Sequence, residues 1–234
     1  MSDFDVFLDY LPRVLEGALV TLEVALLSVI LAVVIGFIGA LFRLSKNRII
    51  SFIGTFYSTF VRGVPDIVWM LMIFYSIQIG LNQVTEYFDW DYIEISPFFA
   101  GILTLSFIYG AFFTETFRGA ILAIPKGSIE AGEAYGMSKM QVSSRIIFPL
   151  MMRFAIPGMK NNWLVLNKAT ALVSLIGLED MTLIAHNAGS ATHLSFAFNL
   201  LSALIFLIAS WLSLSLFKYL EVHYSRGVLK GVEV

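Results

Sequence analysis

Two groups of residues in this sequence have types and spacings that could do chemistry. The first is Glu130-Ala131-Gly132, followed by Gly136, Ile146 and Pro149. Small residues at 131, 132, 134 and 136 would let a second protein surface approach a helix backbone closely. The second group is polar and sits inside apolar stretches: Asp66, Arg153, Lys160, Asn161, Asn162, Asn167, Lys168 and Thr170. An ionisable group in hydrocarbon costs about 2.5–3.5 kcal/mol on insertion scales, so each needs a partner or a task. The residues of 153–168 give their helix a polar side that lipid would not tolerate, and Pro157 frees backbone groups there. That side faces either a polar subunit seam or an aqueous path.

Other chemistries lack their residues. His186, His193 and His223 form no H-E-x-x-H, and no G-x-S-x-G is present. No catalytic residue and no metal site is expected. The absence of cysteine removes thiol catalysis, disulfides and thiolate metal sites together.

The elements that must position these residues follow from composition. The chain is 58% hydrophobic and only 14% charged, with a mean hydropathy of +0.83, far from soluble domains. A net charge of −2 gives no electrostatic argument for nucleic acid. Residues 1–234 are expected to form one all-α transmembrane domain in contact with lipid. Five crossings are predicted, near 17–42, 64–83, 97–117, 146–166 and 196–217, with an apolar lead-in over 49–61. Asp3, Asp5 and Asp9 precede the first stretch, the reverse of a cleaved leader's basic start, so that stretch is expected to stay.

Basic residues set the orientation. Arg43, Lys46 and Arg48, then Arg118, Lys126, Lys139 and Arg145, then Lys218, Arg226 and Lys230 fall after alternate crossings. The loops at 84–96 and 177–195 hold no Lys or Arg, which predicts an external N-terminus and a cytoplasmic C-terminus. The cytoplasmic loop at 118–145 is longer than a plain connection needs. A short helix is expected in it, capped by Ser128, with Glu130 in its first turn and Gly136 at its end. Spacing alone fits a helix resting on headgroups equally well.

The residues of that loop carry a resemblance. The triplet Glu130-Ala131-Gly132, then Gly136, then Ile146 and Pro149 resembles the EAA loop of ABC-importer permeases. Gly132 replaces the second Ala and Phe148 the Leu, with both spacings kept. Arg62-Gly63-Val64-Pro65, Glu115-Thr116-Phe117-Arg118-Gly119, Asn161-Asn162 and Lys168-Ala169-Thr170-Ala171-Leu172 resemble further elements of polar amino-acid permeases. Arg62-Gly63-Val64-Pro65-Asp66, with the run from Ser174 to Asp180, is most similar to Q-type subunits of histidine/lysine/arginine/ornithine importers. Octopine and nopaline permeases look similar.

The resemblance implies a type I importer permease in a bacterial inner membrane, with a coupling helix over about 128–139 seated in a cytoplasmic ATPase dimer. It implies a second, M-type permease subunit and a periplasmic amino-acid-binding protein. ATP and Mg would sit on the ATPase, and this chain would bind no cofactor. From another class, a structural membrane subunit that moves nothing is the rival.

Single residues bear on substrate and packing. Asp66 beside Pro65 at a helix start is stabilised by the dipole, and it could also attract a cationic side chain. Glu179 and Asp180 could attract the same cations, or form a solvated acidic loop. Glu115 and Arg118 are three apart on one face, which predicts an internal salt bridge. Arg62, Pro65 and Pro157 are candidates for structural or gating roles. Ala32, Gly36 and Ala40, four apart, form a small-residue stripe for either a subunit interface or packing within the chain.

Overall fold

The computed structural model describes residues 3–225, so Arg226 and Lys230 lie outside the described residues. Those described form nine α-helices with no strand, as backbone in lipid requires. Four are long and apolar enough to cross a membrane: Asp5–Arg43, Asp66–Tyr87, Pro97–Leu122 and Ser195–Tyr224. The pair Lys139–Ile176 and Met181–Thr192, bent by 58°, makes a fifth if counted as one broken span.

Helix α4 (Pro97–Leu122) is the central post, with more than half of its residues buried. Helix α1 (Asp3–Arg43) lies along it in the same direction. The stripe predicted from Ala32, Gly36 and Ala40 faces α4: both alanines are fully buried, and a Cβ on Gly36 would fall 2.3 Å from that of Phe113. It therefore packs within the chain, which removes it as a subunit interface.

The lead-in at 49–61 proves to be a helix of its own, α2 (Arg48–Arg62), begun by Asn47, whose side chain accepts from the Ile49 amide. It buries Gly54, Ser58 and Val61 and exposes Ile49, Phe52, Ile53, Phe56 and Phe60. Tyr57 fastens it to α4 by donating to the Phe107 carbonyl at 2.6 Å. Pro65 then opens α3 (Asp66–Tyr87), since proline suits a helix start and cannot continue α2. At the far end of α3, Gln78 and Asn82 hold the 84–96 connection through the backbone of Ile93 and Ile95.

Beyond α4 come α5 (Lys126–Ala134), α6 (Lys139–Val142), a π-helical turn (Ser143–Ile147) and α7 (Phe148–Ala169). The helical path runs on through a 3-10 segment to Ile176, past the predicted end at 166. The predicted loop at 177–195 is mostly helix α8 (Met181–Thr192). Gly177, at φ 86°, makes the left-handed turn between the two. Asp180 then caps α8 by accepting from the Leu183 amide at 3.0 Å. Helix α9 (Ser195–Tyr224) closes the bundle, burying only Phe198 and Ser202.

Candidate functional site

Pro125 ends the turn after α4 and starts α5, and its carbonyl accepts from the Ser128 amide. Ser128 is thus inside the helix, not its cap, and Glu130 falls in the second turn, not the first. The end of α5 is as predicted. Gly136 has φ 77°, its amide donates to the Glu133 carbonyl, and the Met137 amide donates to the Gly132 carbonyl. This paired closure is a Schellman motif, which needs a residue tolerant of positive φ.

A separate capping box, with Ser138 and Gln141 bonded to each other's backbone, begins α6. The single helix expected over 128–139 is therefore two helices. Gly132 points inward, where a Cβ would lie 2.4 Å from Cδ1 of Ile146. Its small size serves this internal seat, so the outer contact surface is narrower than the spacing implied. Glu130, Ala131, Ala134 and Gly136 stay exposed, with Tyr135 at 86% and Met140 at 81% exposure beside them.

The second cluster lies where α2 breaks into α3. Asp66 accepts a 2.9 Å hydrogen bond from the hydroxyl of Tyr109, halfway along α4. The guanidinium of Arg62 sits 5.2 Å from the ring of Phe112, which stacks on Tyr109 at 5.6 Å. Further along α4, Glu115 pairs with Arg118 at 3.1 Å, the expected bridge, and also with Arg43 at the end of α1. Arg43 donates in addition to the Ser58 hydroxyl. Tyr109 and Arg43 are site residues that the sequence pattern does not single out. The need of an intramembrane Glu115 for charge is visible in the sequence, but its partner on another helix is not.

The polar residues of α7 separate into distinct sets. Asn162 is buried and donates to Thr116 of α4 at 3.0 Å. Thr170 is fully buried and donates to the Asn167 carbonyl. Lys160 turns to α9 and pairs with Glu221 at 2.6 Å. These three are internal fastenings in the chain. Arg153 is half-buried over the ring of Phe154. Phe154, Pro157, Asn161, Val165 and Lys168 are exposed at spacings of three and four, one continuous stripe along the helix.

At the opposite end Asp180 is fully buried, accepting from Thr21 and Leu183, so it belongs to no solvated acidic loop. Glu179 is exposed and lines a cavity of about 430 Å³ with Arg13, Glu16 and Asn187. His186 lies exposed in α8 and His193 ends it. Among the described residues no group of His, Cys, Asp and Glu could hold a metal ion.

An apolar helical bundle with a two-helix unit on one end and a polar stripe on one face is the architecture of a membrane permease component. Residues 18–229 match the family model described as binding-protein-dependent transport system inner membrane component, and the chain belongs to that family. It is 54% identical to the histidine/lysine/arginine/ornithine transport system permease protein HisQ of Escherichia coli, over 93% of this chain and 96% of that one. It is 37% identical to the arginine ABC transporter permease protein ArtQ of Haemophilus influenzae, over 94% and 97%. Against the octopine permease OccQ of Rhizobium radiobacter identity is 32%, over 93% and 92%. A solved amino-acid ABC transporter with histidines superposes with a TM-score of 0.79 at 26% identity, over 95% of this chain and 99% of that one. The MetNI methionine transporter shares the fold, with a TM-score of 0.70 at 18% identity over 92% and 98%.

Proposed function

We propose that this chain is one of two permease subunits of an ATP-driven importer in a bacterial inner membrane, and that its cargo is amino acids with cationic side chains. The observation that carries the cargo is the 54% identity to HisQ across nearly the whole chain, against 32% to the octopine permease. In this reading α5 and α6 lie on the cytoplasmic side and dock on a separate ATPase, which holds ATP and Mg. Glu130, Ala131, Tyr135 and Gly136 form the contact, while Gly132, Ile146 and Pro149 support it from behind. The binding protein delivers substrate at the end that carries Glu179.

The path runs along the exposed stripe of α7 and past the break between α2 and α3. Asp66, held by Tyr109, attracts the cationic side chain. Lys168, exposed near the end of α7, suits the α-carboxylate. ATP closes the ATPase pair and changes which side the path opens to, and a substrate biases only those states it binds unequally.

Reconstitution with the second permease, the ATPase and the binding protein tests this by uptake. Lysine, arginine, ornithine and histidine should be accumulated and should stimulate ATP hydrolysis. Asp66→Asn should lower lysine and arginine uptake by ~tenfold or more, the equivalent of about 1.4 kcal/mol. Histidine, neutral at about pH 8, should be less affected. Equal losses for all would remove Asp66 from cation selection. Uptake unaffected by Glu130 and Gly136 substitutions would remove the coupling role from α5.

A further inference from the structure

The residues between α6 and α7 are wound differently from every other helical stretch described. Over Ser143–Ile147 the ladder widens to a π turn, and the Phe148 amide donates to the Ser143 carbonyl five residues back. The physical cause lies two residues further on. Pro149 has no amide hydrogen, and in an unbroken α-helix its ring would press on the carbonyl of Arg145, four residues earlier. Widening the turn before it relieves that contact without breaking the helix.

The two sides of this turn are fastened to different bodies. On one side the capping box fixes α6, and Ile146 rests on Gly132 of α5. On the other, Asn162 bonds Thr116, and a Cβ on Gly158 would lie 2.7 Å from Cγ2 of the same threonine, so α7 is seated on α4. Ser143, Ser144 and Arg145 are exposed, while Ile146 and Ile147 are partly buried, Ile146 against α5 and Ile147 against the core, so only the two isoleucines resist a change in its winding. One residue more or less in a helical turn rotates the helix on its N-terminal side by ~100° relative to the helix on its C-terminal side.

Resting on the importer reading above, we infer that Ser143–Ile147 is the joint of the coupling stroke and that Pro149 holds it in the wide form. The α5–α6 unit swings about this turn while α7 stays on α4. Ser143 and Ser144 thereby become positioning residues, although neither belongs to the Glu130–Pro149 pattern.

The test uses the whole complex. Because the chain has no cysteine, Lys126→Cys on α5 and Leu103→Cys on the exposed face of α4, to which α7 is fastened, place spin labels on the two bodies against no background. Their separation is measured in the nucleotide-free complex and in the ATP- and vanadate-trapped complex. A shift of several ångströms is the expected result. An unchanged separation in a complex that accumulates amino acids would overturn the joint and leave the importer reading standing. Absence of uptake of any amino acid would sink the importer reading instead.

A second arm shortens the turn by deleting Ser144, or lets it tighten with Pro149→Ala. Both should lower the amino acid moved per ATP hydrolysed by ~tenfold, about 1.4 kcal/mol of lost coupling. An unchanged ratio in both would also overturn the inference. The two-label distance decides by itself if the shortened chain does not assemble.

Discussion

Glu115 is one carboxylate serving two guanidiniums, and the cost of losing it should differ from that of losing either partner. It holds Arg43 and Arg118 together across α1 and α4, with Glu115 and Arg43 the less exposed pair at 19% and 18% of their side-chain surface, against 32% for Arg118. Glu115→Gln leaves both arginines without a counter-charge in a partly dry place. The purified protein should lose about 2–3 kcal/mol of stability, below the full value for a wholly buried pair because water still reaches these groups. Arg118→Ala leaves the Arg43 pair intact and should cost about 1 kcal/mol or less. Unfolding midpoints in one detergent compare the two. Equal effects would show that Arg43 contributes little, and that the i, i+3 pair legible from sequence is the whole of the interaction.

At the level of elements, two glycines of the motif, Gly132 within α5 and Gly136 just beyond its end, divide the labour. Gly136 sits at φ 77° and closes the helix, where a residue with a Cβ costs about 1–2 kcal/mol. Gly132 is a regular helical residue under the tip of Ile146. Alanine there gains about 1 kcal/mol of helix propensity and displaces only the end of a flexible side chain. Gly136→Ala should therefore reduce the ATPase retained on the immobilised permease, while Gly132→Ala should retain it. Gly136→Asn, better tolerated at positive φ, should recover part of the loss. Loss in both alanine variants would mean that the seat of Ile146 on Gly132 matters to the docking as much as the shape of the helix end.

The same helix shows what a sequence discloses. Its existence and its end follow from Gly136, a backbone requirement carried by one residue. Its start does not, because Ser128 fits a capping rule that Pro125, three residues earlier, makes redundant. Helix α2 carries a legible pattern in Ile49, Phe52, Ile53, Phe56 and Phe60, spaced for one face, which span length alone reduces to an apolar lead-in. Helix α8 announces itself through Asp180 ahead of an apolar run. No such local signal exists for the bond from Tyr109 to Asp66, 43 residues apart, or for Lys160 with Glu221, 61 apart. Those depend on which helix faces meet, decided by the packing of α3 on α4 in the first case and of α7 on α9 in the second.

For the whole molecule, the question is what covers the outward faces of α7 and α9. Helix α9 exposes Leu204, Leu207, Ile208, Trp211 and Leu212, a predominantly apolar, uncharged surface suited to lipid. The stripe on α7 mixes Pro157, Asn161 and Lys168 with Phe154 and Val165, and placing the lysine alone in lipid would cost a few kcal/mol. Either water in a path or a second permease subunit must meet it, and the two differ in access. Single cysteines at Asn161, Lys168 and Leu207 are introduced into a chain with no native cysteine. In the assembled complex, a charged, membrane-impermeant maleimide should label positions 161 and 168 but not 207, and the rates should change when the ATPase is trapped with nucleotide. A lipid-soluble maleimide should reach 207. If 161 and 168 resist the charged reagent in every state, the stripe is a dry subunit seam, and the path must be sought at the break between α2 and α3 alone.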